Sequence, residues 1–135
     1  MAAALGAEPG VFIQALTLYI PNKDRHGVEI GTQRKWVLEA LSIMGPIGGG
    51  ATGMPPAEGI WLDPNGKAVW DNPIVVYSYV DPDKLTAHLV HIREFLHRMG
   101  RETNQGEVVF EFSDRFYRIR NFDPAGPQNN AKTNP

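Results

Sequence analysis

Four groups of residues in this chain carry side chains able to bind a ligand or move a proton. The first is Tyr19, Tyr77, Tyr79 and Glu111. Each lies in a run whose apolar residues alternate, and alternate residues of a strand share one face. Tyr19 therefore falls with Ala15 and Thr17, Tyr77 and Tyr79 with Val75, and Glu111 with Val109. A phenol donates and an ionised carboxylate only accepts, so this set can hold a polar ligand, and a desolvated carboxylate can act as a general base. The second group is Arg101, Asn104 and Gln105, inside the densest polar stretch of the chain, with Glu102, Thr103 and Glu107. Guanidinium and amide groups orient planar or carboxylate ligands; the plainer expectation is a loop that satisfies its own backbone.

The third group is Arg25, Thr32, Arg34 and Lys35, with Lys23 and His26 nearby. Thr32 caps a predicted helix, and a helix N-terminus attracts anions. Cations in that first turn oppose the helix dipole, and Asp24 and Glu29 interleave, so solvated surface charge competes with an anion site. The fourth group is His88 and His91, three apart on a predicted helix. That spacing suits a metal pair. A helical wheel, however, puts no carboxylate on their face, sets His88 at the edge of the apolar stripe beside Phe95, and sends His97 to the far side. No metal site and no cofactor are predicted. The glycine-dense residues 45–53 follow a helix and hold no lysine, which excludes a Walker loop. They are expected to form a linker or a mobile flap.

These groups need elements to position them. Residues 11–20 predict a first strand, with Phe12, Leu16, Leu18 and Ile20 on one face. A helix follows from Thr32 to about Met44, ended by Gly45 and Pro46. Residues 58–62 and 67–70 predict a hairpin around Asp63-Pro64-Asn65-Gly66, with Trp61 and Trp70 near its base. After a break at 71–73, residues 74–80 alternate strongly. Asp81-Pro82-Asp83 is a helix start with a capping carboxylate, a proline at the first helical position and an acid facing the dipole. Leu85, Leu89, Ile92, Leu96 and Met99 draw one apolar stripe, and Gly100 is expected to end the helix. Residues 107–112 predict a strand with Val108, Phe110 and Phe112 on one face, and 115–120 a short edge strand.

The order strand, helix, strand, strand, helix, strand predicts an α+β, ferredoxin-like βαββαβ sandwich, with both helices on one face of an antiparallel sheet and a short extra C-terminal edge strand. The expected domains are a flexible leader at 1–10, a single domain at 11–120, and a disordered tail or partner-binding arm at 121–135. This order, with its partly apolar open sheet face, resembles the dimeric α/β-barrel branch of ferredoxin-like proteins. The stretch Gly59-Ile60-Trp61-Leu62-Asp63-Pro64-Asn65-Gly66-Lys67 and the later helix also resemble small uncharacterised bacterial proteins of that architecture. The resemblance covers roughly residues 11 to 120. It implies a fold and a dimer in a superfamily that includes heme-degrading and quinone-forming monooxygenases and isomerases. No family motif matches, so it implies no site residue.

Bulk properties narrow the field. The net charge of −2 supplies no global attraction for nucleic acid or an anionic membrane. The absence of cysteine excludes disulfides, thiolate metal sites and thiol catalysis. No apolar run is long enough to span a membrane, and cytoplasm is the default compartment. The tyrosine face is too apolar to sit in water, so something should cover it. The leading expectation is a non-catalytic binding or protein-interaction module that self-associates through this face, with a homodimer or another protein as partner. The alternative is a small-molecule enzyme with its pocket between the sheet face and the glycine-rich flap. A third reading is single-stranded RNA binding, since Arg93, Arg98, Arg101, Arg115, Arg118 and Arg120 crowd the last third with Phe116 and Tyr117. The missing recognition signature and the interleaved acids argue against nucleic acid.

Overall fold

The computed structural model describes residues 1–11 and 13–126. Phe12, expected on the first strand, and residues 127–135 of the expected tail lie outside them. The elements in chain order are a one-turn 3-10 helix at Ala3–Leu5, β1 (Gln14–Ile20), α1 (Gln33–Gly48), β2 (Thr52–Gly53), β3 (Gly59–Leu62) and β4 (Ala68–Asp71). These are followed by β5 (Ile74–Val80), α2 (Pro82–Glu102), β6 (Val108–Phe112) and β7 (Arg115–Ile119). The chain is an α+β protein. Five strands form one antiparallel sheet in the order β2-β5-β1-β6-β7, and β3 and β4 form a separate hairpin.

Strand β1 holds the centre. Leu16, Leu18 and Ile20 alternate inward and are almost fully buried. Val76 and Val80 of β5 and Val108 of β6 join them. Both helices lie on this side. From α1, Trp36, Val37, Ala40, Met44 and Ile47 enter the core; from α2, Ile92, Phe95, Leu96 and Met99 do. The Trp36 and Phe95 rings meet edge-on, with centroids 6.0 Å apart, at the centre of the helix pair.

The helix ends differ from the sequence expectation. Gly45-Pro46 does not end α1, which continues to Gly48 and stops at Gly49 with φ +75°. The usual obstacle before a proline is a clash of its ring with the preceding Cβ, and Gly45 has none. Continuation also delivers Ile47 to a fully buried position. Gly48 then sits so close to β5 that a Cβ there would lie 2.1 Å from Ser78 Oγ and 2.4 Å from the Tyr79 carbonyl oxygen. The rest of the glycine run is also ordered: Ser78 Oγ donates to the Gly50 carbonyl at 2.5 Å, and Thr52–Gly53 pairs with Tyr77 and Val76. The run is therefore a helix end and a sheet edge, and it forms no flap over the sheet.

At the start of α2, Asp81 caps as expected, accepting from the backbone N–H groups of Asp83 and Lys84. Gly100 does not end this helix, which reaches Glu102; Thr103 closes it by donating its hydroxyl to the Met99 carbonyl at 2.7 Å. Gly100 has a different role. A Cβ there would sit 2.3 Å from the Phe122 ring, so its bare Cα makes room for that ring. Residues 121–126 are thus no free tail but a strap across α2. Arg93 holds the Asp123 carboxylate through two hydrogen bonds of 2.8 and 2.9 Å, and Arg101 Nη1 donates to the Asp123 carbonyl at 2.6 Å. His97, expected on the far side of the helix, is buried beneath this strap: its Nδ1 accepts the Asp123 N–H at 2.8 Å and its ring meets Phe122 edge-on.

The first strand begins at Gln14 rather than Val11, and Ile13 remains exposed. The β3–β4 hairpin has the expected turn, with Asp63 accepting from the N–H groups of Asn65 and Lys67. It stands apart from the sheet and leaves Leu62 and Trp70 about two-thirds exposed, at 66% and 60%. No helix among the described residues is long and apolar enough to cross a membrane.

Candidate functional site: the open sheet face

The side of the sheet away from the helices carries Ala15, Thr17 and Tyr19 from β1, and Val75, Tyr77 and Tyr79 from β5. From β6 it carries Val109 and Glu111. The pleat puts them there because their neighbours Leu16, Leu18, Ile20, Val76, Ser78 and Val80 point into the core. Strand register assembles them. Thr17 is paired with Tyr77 on one side and Glu111 on the other, and Ala15 with Tyr79. The short edge strand β2 adds Thr52 opposite Tyr77, and β7 adds Phe116 opposite Glu111 and Arg118 opposite Val109.

Tyr19 and Glu111 form the chemical centre of this face. The phenol donates to Glu111 Oε2 at 2.6 Å across the β1–β6 pair. This bond, then partial burial and the carboxylate's negative charge, push the Tyr19 phenol up to about 12. Such a phenol holds its proton and acts as a hydrogen-bond donor, and it fixes one lone pair of Glu111 while leaving the rest for a partner. Beside this pair, Tyr77 and Tyr79 meet edge-on with centroids 5.8 Å apart. Arg118 lies over the Phe116 ring at 5.1 Å. Tyr79 is 55% and Phe116 51% exposed, so the described residues leave this face partly uncovered.

The Tyr19–Glu111 bond has a readable pH signature. A folded-state value raised above the ordinary tyrosine value means that the bond stabilises the fold below that ordinary value. The contribution is lost as pH rises through about 12. Ultraviolet difference titration is expected to show one tyrosine ionising near pH 12, and in Glu111→Gln that step moves down toward the ordinary range. An unchanged late step in the variant would mean that burial, and not the carboxylate, holds the proton.

The other sequence-predicted residues are placed elsewhere. Gln105 donates to the Lys23 carbonyl at 2.9 Å and to Thr103, while the Asn104 carbonyl accepts from the Arg25 N–H at 3.0 Å. Arg25 in turn donates its guanidinium to the Gln105 carbonyl at 2.9 Å. Arg101 serves the strap. This loop therefore staples the end of α2 to residues 22–25, and none of its bonds reaches Tyr19 or Glu111. The four anion candidates are not brought together either. Thr32 occupies the N-cap position but makes no capping bond; its hydroxyl instead accepts the Trp36 indole N–H at 3.1 Å. Lys35 lies over the Trp36 ring at 4.5 Å, Arg34 is exposed, and Arg25 belongs to the other loop.

His88 and His91 have ring centroids 6.0 Å apart, and His88 Nδ1 lies 2.7 Å from the Lys84 carbonyl. Among the described residues no cluster of three histidine or carboxylate groups could hold a metal ion. The arginines of the last third are largely occupied. Arg93 pairs with Asp123, Arg98 with Glu39 and Glu94, and Arg118 and Arg120 with Glu107. Sequence reasoning missed Phe116 and Arg118 as members of the open face. The signal was available, since the Ser113-Asp114 turn fixes which residues of β7 lie opposite Glu111 and Val109.

No family model matches the chain, and no curated protein matches it. Solved structures do. One is a phage SAM lyase in complex with S-methyl-5'-thioadenosine, at a TM-score of 0.56 and 12% identity over 84% of this chain and 94% of that one. Another is a phage SAM lyase in the apo state, at 0.55 and 14% over 83% and 92%. At this identity the likeness is one of fold: two helices with a mostly antiparallel sheet.

Proposed function

We propose that this protein is a ferredoxin-like binding module that self-associates through its open sheet face, with a second copy as the primary partner. The ferredoxin-like reading draws on the order β2-β5-β1-β6, in which each helix links two parallel strands separated by an antiparallel one, with β7 added at one edge and the β3–β4 hairpin inserted before β5. One observation carries the functional reading. A continuous face of tyrosines, valines and Phe116 crosses the five strands, and among the described residues it stays partly exposed, most at Tyr79 and Phe116. Water against such a surface is unfavourable, and a self-complementary two-fold contact is the commonest way to remove it. Light scattering is expected to give a dimer. Tyr77→Asp, which sets a charge in the middle of the face, is expected to give a monomer with unchanged circular dichroism. A monomeric parent protein would overturn the reading.

The Tyr19–Glu111 pair favours one second reading. A carboxylate hydrogen-bonded by a phenol, on an aromatic face, supports a small-molecule site as well, and one solved neighbour in fold is a phage SAM lyase in complex with S-methyl-5'-thioadenosine. On this reading Glu111 anchors a hydroxyl or amine of an adenosine-like ligand and Tyr77 stacks on its base. Calorimetry with S-methyl-5'-thioadenosine, against the parent protein and Glu111→Gln, separates it from pure self-association.

A further inference from the structure

The β3–β4 hairpin carries apolar side chains that the core of the chain does not receive. Strand β5 begins at Ile74, opposite Ile20, the last residue of β1, so residues 59–71 project past the end of the five-stranded sheet as an arm. Ile60 pairs with Trp70 and Leu62 with Ala68, and alternate residues of a strand share a face. Ile60, Leu62 and Trp70 therefore lie together on one face of the arm, and each is more than half exposed. Trp61, opposite Val69, is on the other face. Two strands of four residues make a hairpin that is marginal by itself in water. Such a unit gains stability from a surface to pack on.

The root of the arm holds it in one place. The Ala57 N–H donates to the Pro73 carbonyl at 2.8 Å, and Asn72 Nδ2 donates to the Ala57 carbonyl at 3.3 Å, which ties the two sides of the root together. Gln33 Nε2, in the first turn of α1, donates to the Asn72 carbonyl at 2.8 Å, and the Asn22 N–H donates to Asp71 Oδ1 at 3.2 Å. Pro55, Pro56 and Pro73 fix φ on both sides. The arm is thus a rooted projection with a bare apolar face.

The open sheet face by itself is short of area. Each partner of a standard stable interface buries about 800 Å². The members of that face on β1, β5 and β6 are already half-buried by their neighbours, Tyr79 excepted. The exposed parts of Ile60, Leu62 and Trp70 add on the order of 400 Å², about half of one partner's share. The arm also grows directly out of β5, which carries Val75, Tyr77 and Tyr79, so a partner seated on those residues lies beside the arm's root. Charge argues against a membrane, the other surface that exposed tryptophans suit. Glu58, Asp63 and Asp71 outnumber Lys67, and an anionic bilayer repels a negative arm.

We propose that this arm clasps a second copy of the chain, with its Ile60, Leu62 and Trp70 face laid on the partner next to the open sheet face. In a two-fold pair each copy gives one arm and receives one. The proposal rests on the self-association proposed above and assigns it a second contact.

Tryptophan fluorescence reads the arm directly, because the chain has three tryptophans, of which Trp36 is buried and Trp61 and Trp70 are on the arm. In the full chain carrying Trp61→Phe, acrylamide quenching of Trp70 is expected to rise at least threefold when the dimer is diluted into monomer. Leu62→Lys and Trp70→Thr are each expected to raise the dimer dissociation constant at least tenfold in light scattering across a dilution series, with unchanged circular dichroism. Threonine keeps a β-branched side chain that suits a strand. Dissociation within twofold of the parent in both variants would overturn the proposal. So would equal quenching of Trp70 in dimer and monomer, or shielding of Trp70 by phosphatidylcholine vesicles in place of a second copy. A dimer broken by the arm variants but kept by Tyr77→Asp would support the arm and overturn the open-face contact. The reverse pattern would overturn the arm alone, and a parent that stays monomeric at every concentration would overturn both.

Discussion

Replacing Trp36 with alanine is expected to lower the unfolding free energy by about 4 kcal/mol, read from urea denaturation. Trp36 is 1% exposed and is among the largest side chains buried in the core. Its edge meets Phe95, its indole N–H donates to Thr32 Oγ1, and Lys35 and Arg98 lie against its ring. Truncation would remove the Trp36–Phe95 contact between the two helices and leave a void in the core. It would also loosen Arg98, whose guanidinium is held by Glu39 and Glu94 and pushed further up by both. Trp36→Phe keeps much of the ring volume and is expected to cost roughly half as much. A loss below about 1 kcal/mol for the alanine variant would mean that the ring is not packed as described.

The second large effect is at Gly48. Alanine is the better helix former by about 1 kcal/mol, so propensity alone predicts stabilisation. Contact predicts the reverse. The added methyl would overlap Ser78 Oγ and the Tyr79 carbonyl, and the carbonyl belongs to the β5 backbone, which cannot swing aside. Gly48→Ala is expected to destabilise by about 3 kcal/mol, at the upper end for overpacking, because the end of α1 must lift off the sheet. That movement would also strain the bond between the Asp81 N–H and the Ile47 carbonyl, which ties the start of α2 to the end of α1. Urea denaturation of this one variant decides between propensity and contact, and a gain in stability would show that the helix–strand approach is looser than described.

Much of this was legible before the fold was known, for a definite physical reason. Alternation in β1 and β5 is a local property of the pleat, so the division of Leu16, Leu18 and Ile20 from Ala15, Thr17 and Tyr19 could be read directly, and the structure keeps it. The Asp81 cap and the Asp63 turn are equally local and stand as read. What could not be read were decisions made by tertiary contact. Gly45-Pro46 looks like a stop, yet burial of Ile47 carries the helix past it. Gly100 looks like a stop, yet it is a socket for a ring that arrives 22 residues later in the sequence, beside the strap bonds of Asp123. In the site, the grouping of the tyrosines with Glu111 followed from alternation, but the bond between Tyr19 and Glu111 needed the strand order. Arg101, Asn104 and Gln105 were drawn to the site by composition alone, and their bonds belong to the loop instead.

The central position of β1 has a consequence for how the chain is made. Both of its neighbours come from far downstream: the Tyr19–Glu111 bond joins residues 92 positions apart, and β5 is supplied only after α1 and the whole hairpin. During N-to-C synthesis β1 would therefore emerge with two bare backbone edges, and Leu16, Leu18 and Ile20 would stay uncovered until most of the chain had followed. Closing such distant pairs slows folding relative to a chain of the same size with local contacts. Truncations ending before β6 would leave the middle strand half-paired, and such fragments are expected to aggregate rather than to fold as smaller domains.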